Sequence, residues 1–285
     1  MWNTLFERQN LNYRAIYFIG NPKNAEVIVQ GLKLDPKYIG GGFGSGWKEQ
    51  FKYLDRVEPQ TLKSVNFIDR NNITKGLVGY NTDIEGLLLP LKRKFEELGK
   101  NGIKGKTIVI FGAGGVGKEL PGQLVKEGAA KLFLINRTVE KVEKLAKEAN
   151  EIKQGVAEYT SEDKIRDYLL MPEIDAAINV TKKGAEPLQD FSAFAETDLL
   201  NPNSIKDNNK KALEIAEELV KANPKIVIYD ITLPKTGKPK TLEISGKAGL
   251  EHLLRGTEMV VNQGIIAAEK LYKRNPKIFE EVTGK

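Results

Sequence analysis

The run Lys-Thr-Ile-Val-Ile-Phe at residues 106–111 leads directly into Gly112, Ala113, Gly114, Gly115, Val116 and Gly117. A strand so continuously apolar has to be covered on both faces, as in a parallel sheet with helices packed above and below. Gly112, Gly114 and Gly117 fit G-x-G-x-x-G, and a helix-like stretch continues to about residue 127. A lone match to that pattern says little. Between a buried strand and a helix, it describes the phosphate-binding turn of a dinucleotide fold. There Gly112 permits the tight turn, Gly114 lets a pyrophosphate approach the backbone, and Gly117 lets the helix pack close on the strand. Free N–H groups at the helix start then face the phosphate. Pro121-Gly122 falls inside that helix, where proline is predicted to remove a donor and force a kink, at about 3 kcal/mol.

The pattern continues downstream. Strands are expected at residues 131–135, 176–180 and 225–231, with helices at 139–150, 205–222 and 258–274. This alternation predicts an α/β fold with a doubly wound, Rossmann-type parallel sheet. Upstream, a strand at 13–19, helices at 25–32 and 47–57, and a hairpin (64–69 and 76–80, around Arg70-Asn71-Asn72) precede a long helix at 83–98. That helix is expected to end at Asn101-Gly102. Two α/β domains with a cleft between them follow. Residues 1–100, completed by the C-terminal helix at 257–285, form the smaller substrate domain, and 101–256 the nucleotide domain.

Composition narrows the chemistry. The chain of 285 residues has no cysteine and a single histidine, His252. Disulfides, thiol nucleophiles and cysteine-ligated metals are excluded, and a histidine-rich metal site or Ser-His-Asp triad has no support, so no metal is expected. The net charge of +6 is spread over mixed-sign helices rather than gathered in a patch, which argues against a nucleic-acid partner. No apolar run is long enough for a membrane helix, and no leader is expected at the start. A cytoplasmic protein acting on a small molecule is the expectation.

In dinucleotide folds an Asp or Glu about 20 residues past the loop binds the ribose hydroxyls of NAD. Here the second strand ends in Asn136, Arg137 and Thr138, with Lys141 one turn on. No carboxylate repels a 2′-phosphate, and Arg137 can grip one with charge-assisted bonds, so NADP is the expected cofactor. Thr138 also suits the plain role of N-cap for the following helix, and Arg137 that of a solvated charge.

Further motifs complete the set. Gly79-Tyr80-Asn81-Thr82-Asp83 is a Gly-x-Asn-Thr-Asp signature. Ile178-Asn179-Val180-Thr181 precedes Gly184, and Gly256, Met259 and Gln263 mark the start of the last helix. Val65-Asn66 opens a Val-Asn-Thr motif in which Phe67 replaces the threonine. In order and spacing the sequence resembles the shikimate dehydrogenase family, quinate dehydrogenases included, over nearly its whole length. The resemblance implies an NADP-dependent oxidoreductase that interconverts a ring hydroxyl and a ketone, in aromatic amino acid biosynthesis. It also implies cofactor contacts from residues 112–117, from Asn136, Arg137, Thr138 and Lys141, and from Asn179, Thr181 and Gly256.

In that family a lysine and an aspartate face the reacting hydroxyl. Carried over, they are Lys48 and Asp83, with Asn66, Asn81 and Gln263 as substrate contacts. The chemistry asks for such a pair, because taking a hydride from an alcohol requires its proton to leave too, and a lysine amine can accept it. Without the resemblance, Lys48 is a first-turn charge on a surface helix and Asp83 a helix N-cap.

Departures gather in the substrate half. Met1-Trp2-Asn3 resembles a family segment that normally lies some twenty residues into the chain. The preceding strand and its carboxylate-holding serines are therefore expected to be missing. An exposed sheet edge results, to be covered by a second copy in a homodimer or by the Trp2 region. Glycines at 40–46 replace polar substrate contacts and form either a mobile loop or a close approach to ligand, while Leu233 stands for a substrate-contacting tyrosine. Two rival readings remain: an NADP-binding sensor without activity, and an enzyme like methylene-tetrahydrofolate dehydrogenase.

Overall fold

The computed structural model describes residues 2–8, 12–44, 46–60, 62–70 and 76–274. The chain forms two compact units, Met1–Glu85 with Gln263–Lys285, and Gly86–Asn262.

In the first unit, helices α1 (Trp2–Arg8) and α2 (Ala25–Leu34) precede a four-stranded sheet. Its strands are β1 (Gly40–Gly42), β2 (Arg56–Val57), β3 (Phe67–Arg70) and β4 (Leu77–Tyr80), in the order β1-β3-β4-β2. Strands β3 and β4 are the expected hairpin, antiparallel with Phe67 opposite Tyr80; its turn, including Asn71 and Asn72, lies outside the described residues. Alternation of side chains across the pleat gives the sheet two apolar faces. Val29, Leu54, Val65, Ile68 and Leu77 pack together, and Phe67, Val78 and Tyr80 pack on Ala267 and Leu271 of the last helix.

Three expectations are corrected in this unit. Residues 47–57 are not a helix. Only Gln50–Tyr53 coil, as a 3-10 turn, because the flanking backbone is taken by the sheet: Asp55 N–H donates to the Leu77 carbonyl and Glu58 N–H to that of Gly79. Tertiary hydrogen bonds outweigh a weak local propensity here. Residues 13–19 form no strand and join no sheet among the described residues. The first part of the glycine run, Gly40–Gly42, is a strand rather than a loop, paired antiparallel with residues 67–69. The Trp2 side chain lies outside the described residues.

Helix α3 (Thr82–Glu97) follows. It ends one turn earlier than expected, at Gly99, whose φ of 71° lets Lys100 N–H reach back to the Phe95 carbonyl.

The second unit is built on β5 (Thr107–Phe111), β6 (Lys131–Ile135), β7 (Ala157–Thr160), β8 (Ile174–Asn179), β9 (Val227–Asp230) and β10 (Leu253–Arg255). They form one parallel six-stranded sheet in the order β10-β9-β8-β5-β6-β7. Helices α4 (Leu120–Lys126), α5 (Val139–Ile152), α6 (Ile165–Leu169), α7 (Ser204–Ala222), α8 (Lys240–Ala248) and α9 (Gly256–Arg274) complete the chain. All of β5 is buried, as its composition demands. Its Phe111 packs on Phe194 with ring centroids 6.2 Å apart. Strand order runs outward from β5 to β7 and then returns to β8, so the switch point lies between β5 and β8, where open α/β sheets bind their ligands. Strands β7 and β10 and helix α8 went unread in the sequence.

The predicted kink at Pro121 does not arise. The glycine loop ends in a separate 3-10 turn, Val116–Lys118, and α4 begins afresh at Leu120 with Pro121 in its first turn. An N–H at that position has no helical partner to lose, so proline is tolerated there. Among the described residues no helix is long and apolar enough to cross a membrane.

Candidate functional site

The first cluster grows from the β3–β4 register. With Phe67 opposite Tyr80, the residues just outside the ladder, Asn66 and Asn81, stand side by side at the start of α3. Each caps that helix from outside: Asn66 Oδ1 accepts Thr82 N–H at 2.7 Å, and Asn81 Oδ1 accepts Asp83 N–H at 3.0 Å. Asp83 is therefore not the cap, contrary to its plainer reading. It sits in the first turn, where the helix dipole favours a carboxylate.

The Asp83 carboxylate is buried and divided between two partners. Oδ1 accepts from Asn66 Nδ2 at 2.7 Å, and Oδ2 is in contact with Lys48 Nζ. Lys48 reaches it because the Lys48 carbonyl accepts Val65 N–H at 2.8 Å, which draws the 47–49 turn alongside the strand. The sequence-derived pair thus meets. Asn66 and Asn81 are engaged in building it: the Asn66 amide also donates to Thr82 Oγ1, and Asn81 Nδ2 donates to Ser64 Oγ at 3.0 Å. Their bonds help to position Asp83, in addition to the substrate contacts expected of them. Ser64 was missed, since one serine before a Val-Asn pair carries no signal of its own. Gln263 is partly buried, and its enclosed Oε1 has no partner among the described residues.

The second cluster surrounds the glycine loop. Gly112 has φ 105°, and a Cβ there would come within 2.9 Å of Thr181 Cγ2; at Gly117 it would stand 2.8 Å from the Gly112 carbonyl oxygen. Both positions exclude any other residue. At Gly114 and Gly115 a Cβ would meet nothing within 4 Å, so the loop's outer side has the room a pyrophosphate needs. The N–H groups of Gly114, Gly115 and Val116 have no acceptor among the described residues. At the end of β6, Arg137 is exposed with no ion pair or hydrogen bond among the described residues, and Lys141 is exposed nearby in sequence. Thr138 occupies the N-cap position of α5 but makes no capping bond, so the plain N-cap reading fails. Asn136 Nδ2 donates to the Thr138 carbonyl and shapes the turn. A cradle of free N–H groups and an unpaired guanidinium fits a phosphorylated dinucleotide.

Two buried networks brace this cluster. Asn179 is closed off from solvent: Nδ2 donates to the Lys183 carbonyl and to Asp230 Oδ2, and Oδ1 accepts from Thr181. Asn179 therefore holds the turn, and Thr181 is the part of that motif left nearer the surface. Gly256, too, is a packing glycine, with its Cβ position 2.3 Å from the Ile231 carbonyl oxygen. Burial raises the Asp230 pKa, opposed by bonds from Thr232, Asn179 and Thr241. Lys183 is buried, with Nζ 2.9 Å from Glu162 and 2.7 Å from the Ala195 carbonyl. Burial lowers its pKa, Glu162 opposes the shift, and the nearby Arg137 charge adds to it. No sequence pattern announces these pairs, because their partners are dozens of residues apart.

A family model described as Shikimate / quinate 5-dehydrogenase matches residues 92–190. A shikimate dehydrogenase (NADP(+)) of Caldanaerobacter subterraneus subsp. tengcongensis is 31% identical over 210 residues, covering 72% of this chain and 70% of the relative. One from Alkaliphilus metalliredigens is 29% identical over 279 residues, covering 94% and 84%. A solved shikimate dehydrogenase in complex with NADP+ superposes with a TM-score of 0.73 at 26% identity, over 99% of this chain and 90% of that one.

Proposed function

The chain belongs to the shikimate dehydrogenase family and is an NADP-dependent oxidoreductase of that type; we propose that Lys48 is its general acid/base and Asp83 the carboxylate that positions it. The single observation behind this reading is the Lys48–Asp83 contact, with Asn66 fixing the second carboxylate oxygen. When bound, NADP supplies the hydride acceptor. As the ring hydroxyl becomes a ketone, its proton passes to the Lys48 amine; in reduction the same amine returns it. Asp83 Oδ1 is occupied by Asn66 and Oδ2 orients Lys48, while Gln263, whose buried Oε1 has no partner among the described residues, would contact the substrate.

For the cofactor, the N–H groups of Gly114, Gly115 and Val116 would hold the pyrophosphate and Arg137 the 2′-phosphate. Asn136, Thr138 and Lys141 would flank it, and Thr181 would stand on the nicotinamide side, braced by Asn179 and Gly256. The unit of Met1–Glu85 with Gln263–Lys285 would serve as the substrate domain and Gly86–Asn262 as the nucleotide domain, each boundary displaced from the sequence-derived 1–100, 257–285 and 101–256. The substrate is a small polar ring alcohol or ketone. We assign a homodimer acting in the cytoplasm without nucleic acid. Retention of the Lys48–Asp83 pair favours an enzyme over a sensor, and family membership sets aside the folate-enzyme reading.

Kinetics of Lys48→Ala test the assignment. Turnover should fall by about 10²–10⁴-fold, the loss of a general acid/base, with NADP affinity unchanged. Turnover within a few-fold of wild type refutes the role.

A further inference from the structure

The buried Lys183–Glu162 pair reaches across the strand ends that the cofactor reading above places against NADP; the inference rests on that reading. Lys183 is 4% exposed, and its Nζ lies 2.9 Å from Glu162 Oε2 and 2.7 Å from the Ala195 carbonyl oxygen. The same Glu162 oxygen accepts the Thr197 N–H at 3.1 Å. Glu162 opens the 3-10 turn Glu162–Lys164 just after β7, and Lys183 follows β8. In the sheet, β7 and β8 are separated by β6 and β5. Three strand spacings, about 14 Å, lie between them. The pair therefore spans the ends of the two strands that carry Arg137 and the glycine loop. The Arg137 charge is felt at Lys183, which puts these groups at one end of the sheet.

Both backbone groups of Lys183 are held by the motif that precedes it. Its N–H donates to Thr181 Oγ1 at 3.0 Å, and its carbonyl accepts from Asn179 Nδ2 at 2.8 Å. Asn179 Nδ2 also donates at 2.9 Å to Oδ2 of Asp230, at the end of β9. The turn that carries Thr181 is thus guyed on one side to β9 and on the other, through the Lys183 side chain, to the exit of β7. The Ala195 carbonyl is itself fixed by Asn208 Nδ2 at 3.0 Å. A lysine is almost never fully buried without such partners. Well-packed apolar residues of similar volume would often hold the segments as firmly or more so. What the ion pair adds is direction, because its bonds form only over a narrow range of distance and angle.

We propose that Glu162 and Lys183 are positioning residues for the cofactor: the pair holds the Thr181 turn where it meets the nicotinamide, independently of the glycine loop and Arg137 that hold the adenosine end. The two ends are fixed by different means. Residues 112–117 and Arg137 follow β5 and β6 directly, and both strands are paired on either side in the sheet. The Thr181 turn instead begins the long excursion from β8 to α7, residues 180–203, and depends on side chains for its place. Loss of the pair loosens the nicotinamide end and leaves the adenosine end intact. A misplacement of about 1 Å can cost about 10²-fold in rate, so a strap of this kind bears on hydride transfer as well as on affinity.

The test compares two ligands on the full-length protein without substrate: NADPH, and 2′-phospho-ADP-ribose, which keeps the adenosine end of the cofactor and lacks the nicotinamide. In the double variant Lys183→Met with Glu162→Gln no buried charge is left unpaired, and the Thr197 N–H keeps an acceptor, so the protein should fold. NADPH should bind it about tenfold more weakly, the scale of one lost hydrogen bond, with the emission of the bound dihydronicotinamide shifted toward that of free NADPH. 2′-Phospho-ADP-ribose should bind as it does to wild type. Glu162→Gln alone should also lose NADPH selectively, by about threefold, and it decides the question if the double variant does not fold. A loss shared by 2′-phospho-ADP-ribose, or no loss of NADPH, overturns the positioning role and leaves the pair a stabilising one. A wild type that binds neither ligand overturns the cofactor assignment itself, and the inference with it.

Discussion

Replacing Arg137 with alanine should discriminate between the two nicotinamide cofactors. The guanidinium stands exposed at the end of β6 and bonds to no carboxylate or carbonyl among the described residues, so its removal should break no bond in the free enzyme and the melting temperature should not move. With NADP bound, one or two charge-assisted bonds to the 2′-phosphate are lost, about 1.5–3 kcal/mol for a bond to a charged group. At 1.4 kcal/mol per tenfold, the dissociation constant should rise roughly 10- to 150-fold. NAD has a hydroxyl at that position and should bind the variant as it binds wild type. Because the site is exposed, the wild-type preference should shrink with ionic strength, since the screening length is about 8 Å at 0.15 M salt. Lys141 and the buried charge of Lys183 keep some residual preference in the variant. Titration calorimetry with both cofactors, at low and physiological salt, measures all of this. Equal losses for NAD and NADP would show that Arg137 shapes the loop rather than reading the phosphate.

The buried Lys183–Glu162 pair should govern stability of the nucleotide unit. Lys183→Met leaves the largely enclosed Glu162 without its cation, at a cost of up to about 3–5 kcal/mol, and at about 2–4 °C per kcal/mol for a unit of this size. A calorimetric melt lowered by less than a few degrees refutes this. Shikimate should be a poor substrate, with kcat/KM below about 10⁴ M⁻¹s⁻¹ in steady-state assays. The first unit has only two serines, Ser45 and Ser64, and Ser64 already accepts the Asn81 amide. Efficient NADP-dependent oxidation of shikimate refutes that, and means that backbone N–H groups hold its carboxylate.

The nucleotide unit was legible because its signals are local. A fully apolar strand, glycines at fixed offsets and a basic turn after the next strand each depend on neighbours a few residues away, and the chain obeys them. The Gly-x-Asn-Thr-Asp signature likewise announced Asp83. Sequence reasoning failed where long-range contacts decide the backbone. Residues 47–57 carry a helical pattern, yet Asp55 N–H bonds to Leu77 of β4 and Arg56–Val57 join the sheet instead. Pro121 looked like a break, but the chain starts a new helix just before it. That Asn66 and Asn81 also cap α3 and support Asp83 was decided by the hairpin register. The Lys48–Asp83 meeting itself depends on one backbone bond, from Val65 to the Lys48 carbonyl. Composition and spacing determine which groups a chain owns and where it turns. Which groups meet is a question of register and burial, decided by hydrogen bonds that must be satisfied once water is excluded, and only the folded chain answers it.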